Sequence, residues 1–93
     1  MNKDSLVGSF AFSKAGHDKS QLYVIVAEEG DYVWLCDGRL KNLSKPKKKR
    51  KKHVQPVRRT VNSALRERLC NKEKVLDEEI KYEIKHYSKE DKI

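Results

Sequence analysis

Residues 22–36 read LYVIVAEEGDYVWLC and carry the clearest structural signal in the chain. Residues 22–26 form a nearly continuous β-branched and aromatic run, and residues 32–36 form a second one. The EEGD sequence between the two runs has the composition of a tight turn. The stretch therefore predicts two antiparallel strands joined in a hairpin.

A further strand is predicted on the N-terminal side of this hairpin. Residues 6–14 read LVGSFAFSK, and the alternation in this run places Phe10 and Phe12 on one face. That face should enter the core. The polar, turn-rich residues 15–20 then connect this strand to the hairpin.

Two more strands are predicted on the C-terminal side. An Asp-Gly turn at residues 37–38 precedes residues 39–43, which are expected to form the fourth strand and complete a second hairpin. A short fifth strand is expected at residues 53–57, where Pro56 restricts it to an edge or a strand end. Short strands at such close spacing predict a small barrel that closes its own edges.

After Arg59, apolar residues recur at helical spacing and predict two helices. The first helix could be capped by Thr60 or Asn62, and its apolar positions are Val61, Ala64, Leu65 and Leu69. The second helix should run to about Ser88, with one apolar face formed by Val75, Leu76, Ile80, Ile84 and Tyr87. Acidic residues near its start and lysines towards its end complement the helix dipole.

The chain is therefore predicted to be a mainly β domain with a C-terminal α segment. The barrel occupies residues 1–59, including a basic loop at residues 45–53, and residues 60–93 form a helical extension. The apolar helix face is interpreted as packing against the barrel or the first helix. The alternative is a protein-interaction adaptor or translation factor that acts through these helices.

The positive charge of the chain is concentrated in one segment. The 93 residues carry a net charge of +8, and 39% of them are charged. Residues 39–59 contain eleven Lys and Arg and no Asp or Glu, so the rest of the chain carries a net charge of −3. A cluster of one sign repels itself unless a polyanion neutralises it, which predicts a nucleic-acid partner. An anionic membrane surface and a merely solvated loop are the alternatives.

Several other classes of protein are disfavoured. No apolar run approaches the roughly 20 residues of a membrane span, and no signal peptide is recognisable, so a cytoplasmic location is expected. Cys36 and Cys70 are interpreted as reduced thiols, and the scattered histidines predict no metal site. The chain has no phosphate-binding glycine loop and no nucleophile beside a His and an acid. We therefore expect no enzymatic activity, cofactor or small-molecule substrate.

Part of the sequence resembles the KOW motif of RNA-binding domains. The resemblance begins with residues 7–20, VGSFAFSKAGHDKS, and continues through residues 22–26. The DGRL, KPKKK and Lys52-His53 sequences that follow are similar to bacterial KOW-domain proteins related to archaeal and eukaryotic large-subunit ribosomal proteins. The resemblance covers roughly residues 6–57, with Ser20 where the KOW pattern normally has glycine. It implies an SH3-like barrel and ribosomal RNA as the ligand, with ribosomal proteins as further partners.

The predicted RNA contacts are basic side chains in and around residues 45–53. Some would bind phosphates as mobile charges and the others would extend the footprint. The complete set is Lys14, His17, Lys19, Arg39, Lys45, Lys47, Lys48, Lys49, Arg50, Lys51, Lys52, His53, Arg58 and Arg59. Tyr23, Tyr32 and Trp34 could stack on bases, but core positions are favoured for all three.

Overall fold

A computed structural model of the protein describes residues 5–14 and 21–90. Its strands are β1 (Ser9–Ser13), β2 (Leu22–Glu29), β3 (Tyr32–Cys36), β4 (Lys47–Arg50) and β5 (Val54–Thr60). A short 3-10 helix (Lys51–His53) joins β4 to β5, and the helices α1 (Ser63–Cys70) and α2 (Asp77–Glu90) follow. The strands form one antiparallel sheet in the order β4-β3-β2-β1-β5. The predicted class, mainly β with a C-terminal α segment, is confirmed.

The sheet curls around its inner face as a small barrel does. Six inner residues are at most 3% exposed: Ala11, Tyr23, Ile25, Val33, Leu35 and Val54. No residue of α1 or α2 belongs to this cluster, so the strands themselves must keep water away from it. Lys49 Nζ also donates to Ser13 Oγ at 2.9 Å, which joins β4 to β1 although the two strands are not neighbours in the sheet. The fold is therefore barrel-like.

The two helices pack against the outer face of the sheet. The buried residues of this second cluster are Val7, Phe10, Val24, Cys36, Val61, Leu65, Leu69, Ile80 and Tyr87. The ring centroids of Phe10 and Tyr87 lie 4.8 Å apart, so the end of α2 reaches strand β1. The interpretation of the apolar helix face as a packing surface is confirmed.

Both helices begin at sites that hydrogen bonds define. Asn62 Oδ1 accepts from Leu65 N at 2.8 Å, so Asn62 rather than Thr60 caps α1. The expectation that Val75 and Leu76 belong to the second helix is wrong. Leu76 N donates to the side chain of Glu79 at 3.0 Å, as in one half of a capping box, and α2 begins one residue later.

The strand predicted at residues 39–43 is also wrong. Asp37 Oδ1 accepts from Arg39 N at 2.8 Å and from Lys41 N at 2.9 Å, and Asp37 N donates to Lys41 O. Leu43 N donates to Asp77 Oδ1 at the start of α2. Because these amides are bonded within the loop or to α2, they are not available for a strand ladder.

The basic loop predicted at residues 45–53 is instead mostly regular structure. Residues 47–50 form β4 and pair with β3, and residues 51–53 form the 3-10 helix. Four consecutive basic residues are compatible with a strand because β4 lies at an edge of the sheet, where charged side chains are common. The strand conformation of residues 47–50 determines the directions in which their basic side chains point.

Candidate nucleic-acid interface

Alternate residues of β4 point to opposite faces of the sheet. Lys48 pairs with Trp34 and Arg50 pairs with Tyr32, and all four side chains lie on the outer face. Lys48 Nζ lies 4.3 Å from the centroid of the Tyr32 ring and 5.6 Å from that of Trp34. Arg50 Cζ lies 5.7 Å from the Tyr32 centroid. We call these four residues the outer β4 surface, which combines two exposed cations with two half-buried aromatic rings.

The other two residues of β4 point inward. Lys47 and Lys49 pair with Leu35 and Val33, which are fully buried in the inner cluster. Burial and the nearby charge of Lys49 lower the pKa of Lys47. Both lysines are half-buried, so they are less accessible to a large polyanion than Lys48 and Arg50.

The 3-10 helix contributes one neutralised and one exposed lysine. Lys51 Nζ forms an ion pair with Glu28 Oε2 at 2.6 Å. Burial opposes ionisation of Glu28, but hydrogen bonds from Lys51 and from the Leu6 amide outweigh it and lower the pKa of Glu28. Lys51 is thus paired with β2, whereas Lys52, two residues after β4, is exposed.

Lys14, a predicted RNA contact that is distant in sequence from residues 45–53, lies next to the 3-10 helix in the structure. Lys14 N donates to His53 O at 2.9 Å, so the exposed Lys14 lies beside the exposed His53 at the end of the 3-10 helix. His17 and Lys19, which were predicted to contact RNA from the same turn as Lys14, lie outside the described residues.

The remaining predicted contacts are dispersed. Lys45 and Arg39 are both exposed in the loop that joins β3 to β4, at the end of the paired strands away from Arg50. Arg58 and Arg59 belong to β5, the other edge of the sheet. Arg59 Cζ lies 4.5 Å from the centroid of the Tyr87 ring and packs against α2. The predicted set is therefore divided between the two edges.

The expectation of core positions is correct for one aromatic residue of three. Tyr23 is 2% exposed in the inner cluster, but Tyr32 and Trp34 are half-buried on the outer face. The signal for this difference is present in the YVWLC sequence, because Val33 and Leu35 occupy the alternate, inward positions of β3.

An open groove adjoins the outer β4 surface at Trp34. It has a volume of about 530 Å³ and lies between the strands β2 and β3 on one side and the end of α1 on the other. Pro46, which precedes β4, also lines it. Trp34 thus belongs to both the groove and the basic surface.

Two other kinds of site are not found in the described part of the chain. Within residues 5–14 and 21–90, no group of three or more His, Cys, Asp or Glu side chains is placed to hold a metal ion. Neither described helix is long and apolar enough to cross a membrane.

Comparisons with known proteins leave the family open. No family model matches the chain. A search of curated proteins finds no significantly similar sequence. The resemblance to KOW domains therefore stays a prediction.

Proposed function

We propose that this protein binds RNA through the outer β4 surface and acts in the cytoplasm as a ribosome-associated protein. The observation that carries the proposal is the arrangement of Lys48 and Arg50 over the rings of Tyr32 and Trp34 on an uncovered sheet edge. Cations beside partly exposed aromatic rings are typical of surfaces that bind both the phosphates and the bases of a nucleic acid.

The affinity would come mainly from phosphate contacts. Lys48, Arg50 and Lys52 are exposed, and Lys45 and Lys14 extend the same basic edge. Each phosphate neutralised by a lysine or arginine releases condensed counterions, which favours binding and makes it dependent on salt. Four to six such contacts correspond to a slope of about −3 to −5 for log K against log salt.

The choice of RNA as the ligand rests on the resemblance to KOW domains. Charge alone does not distinguish RNA from DNA, because both present phosphates. The barrel-like sheet and the basic segment are compatible with this resemblance, and ribosomal RNA is the ligand it implies. Ribosomal proteins would then be neighbours on the same particle.

The test compares two variants that lose the same charge in different places. One replaces Lys48, Arg50 and Lys52 with Gln. The other replaces with Gln three lysines that are also exposed but lie outside the basic segment, residues 39–59: Lys74, Lys81 and Lys85. The first should bind ribosomal RNA about 100-fold more weakly near 0.1 M salt, with a slope smaller by about 2 to 3. The second should change little.

The 93-residue chain should also co-sediment with ribosomes at low salt and be released at high salt. Equal losses of affinity in the two triple variants would mean that net charge, rather than this surface, drives binding. That result, or a wild-type protein that ignores ribosomal RNA in dilute buffer, would contradict the proposal.

A further inference from the structure

The groove beside Trp34 has walls unlike the basic edge next to it. Val26 of β2 and Leu69 at the end of α1 provide apolar surface on opposite sides, and Trp34 lies on the strand side. Lys48 Nζ is 5.6 Å from the Trp34 ring, so the groove and the outer β4 surface are continuous. A ligand held by Lys48 can therefore reach the groove.

The charges that line the groove do not favour a phosphate inside it. Glu28, Glu29 and Lys72 all line the groove, and Glu28 is paired with Lys51, so the walls carry no excess of positive charge. The exposed carboxylate of Glu29 would repel an anion but can accept a hydrogen bond from an N–H group of a base. A neutral, planar and partly apolar group suits these walls, whereas the phosphates suit the adjoining cations.

We infer that the groove receives an unpaired nucleobase, stacked on Trp34, while the phosphates of the same strand lie along Lys48 and Arg50. The inference rests on the proposed function and deepens it, because it specifies the class of RNA. Bases in a duplex are stacked and paired, so they cannot enter the groove without being extruded. The surface therefore selects single-stranded over double-stranded RNA.

Trp34 gives a direct readout because the chain contains one Trp. The 93-residue chain is titrated with a single-stranded octauridylate, with an abasic octamer that has the same phosphates, and with a blunt duplex of equal length. The octauridylate should quench Trp34 fluorescence and bind about tenfold more tightly than the abasic octamer. The duplex should bind without comparable quenching.

A pair of truncation variants assigns the effect to the ring. Trp34→Ala should lower affinity for the octauridylate about tenfold and leave affinity for the abasic octamer unchanged. Leu40→Ala truncates another apolar side chain, 86% exposed, and should change neither affinity. The wild-type comparison of the two octamers does not depend on how well the Trp34 variant folds.

The outcomes separate this inference from the proposed function. Equal affinities and equal fluorescence changes for the octauridylate and the abasic octamer would overturn base stacking while leaving RNA binding intact. Binding of none of the three nucleic acids would contradict the proposed function itself. Quenching by polyglutamate that competes with the octauridylate would assign the groove to an acidic polypeptide and would also overturn the inference.

Discussion

The outer face of the sheet has one half covered by helices and one half left open, and the change occurs within β3. Cys36 is fully buried in the cluster that α1 and α2 complete, whereas Trp34, two residues earlier on the same face, borders an open groove. The covered half is apolar, and the open half carries Lys48 and Arg50. Covering those cations with a helix would cost the free energy of their desolvation.

This difference separates stability from binding along one continuous surface. Substitutions in the covered half should change the free energy of unfolding, because they alter buried packing. Substitutions in the open half should change the affinity for RNA, because exposed charges contribute little to stability. The separation fails if either half affects both quantities.

The largest effect is expected from truncation of α2 where it meets the sheet. Ile80 is fully buried in the outer cluster. Ile80→Ala should lower the free energy of unfolding by about 2–5 kcal/mol, because it removes buried methyl and methylene groups and leaves a cavity. Urea denaturation followed by circular dichroism measures this loss. Tyr82→Ala, at an exposed position on the same helix, is the control and should cost far less.

The folded fraction of the Ile80 variant should keep its affinity for RNA. If Ile80→Ala left the free energy of unfolding unchanged, the helices would not be packed stably against the barrel. The C-terminal segment would then be free to act as a separate interaction module, which was the alternative predicted from its sequence.

A smaller effect is expected at the loop that joins β3 to β4, where Gly38 lies against the start of α2. Gly38 has a φ of +78°, and a Cβ there would lie 2.5 Å from the backbone oxygen of Asp77. Gly38→Ala should therefore cost about 2–3 kcal/mol, because the new methyl group adds a clash with α2 to the backbone strain. The matched control is Gly30→Ala, which has a φ of +58° with no atom within 4 Å of the added Cβ.

The control substitution should cost only about 1 kcal/mol, the strain of the left-handed backbone. Thermal and urea denaturation of both variants give the comparison. Equal losses would mean that α2 does not approach Gly38 closely, and the position of the helix over the end of β3 would need revision.

The sequence predicted the strands that have apolar inner residues. Two runs of β-branched and aromatic residues correspond to β2 and β3, and β3 has the predicted bounds, Tyr32–Cys36. The failure came at β4, where KKKR contains no apolar residue to reveal period two. Its strand conformation follows from pairing with β3, a long-range interaction that local composition does not encode.

The composition of the sequence predicted which residues form the candidate site, but not the directions in which their side chains point. The basic segment was recognisable as a cluster, yet the division between outward Lys48 and inward Lys49 depends on a strand that the sequence did not predict. The commitment of Lys51 to Glu28 depends equally on the tertiary structure, since the two residues lie on separate elements. Only the pairing of strands brings such partners together.

Alkaline pH should weaken the covered half through its cysteine. Burial, with the negative charges of Asp77 and Asp37, raises the pKa of Cys36 from 9.0 to about 12. The pKa of the thiol is higher in the folded state than in the unfolded state. The contribution of the thiol to the free energy of unfolding is therefore complete below pH 9 and is lost as the pH rises towards 12. The free energy of unfolding should fall by about 1.4 kcal/mol per pH unit in that window.

Cys36→Ala should flatten this dependence, although it also lowers stability at neutral pH. Burial likewise raises the pKa of Tyr23, so the difference between wild type and variant isolates the thiol. Urea denaturation at several pH values from 8 to 11 provides the measurement. A slope that is the same in both proteins would mean that water reaches the thiol, and the outer cluster would not be closed at β3.

The smallest effect on RNA binding is expected for Lys47 and Lys49, although the sequence alone predicts that both lysines contact RNA. Lys47→Gln with Lys49→Gln removes the two inward cations of β4, and Lys48→Gln with Arg50→Gln removes the two outward ones. The outward pair should reduce the salt dependence of RNA binding by about two contacts, and the inward pair should leave it nearly unchanged. Equal reductions would mean that β4 releases its pairing with β3 on binding. The segment would then bind as a mobile chain of charges, and side-chain direction in the free protein would not determine its contacts.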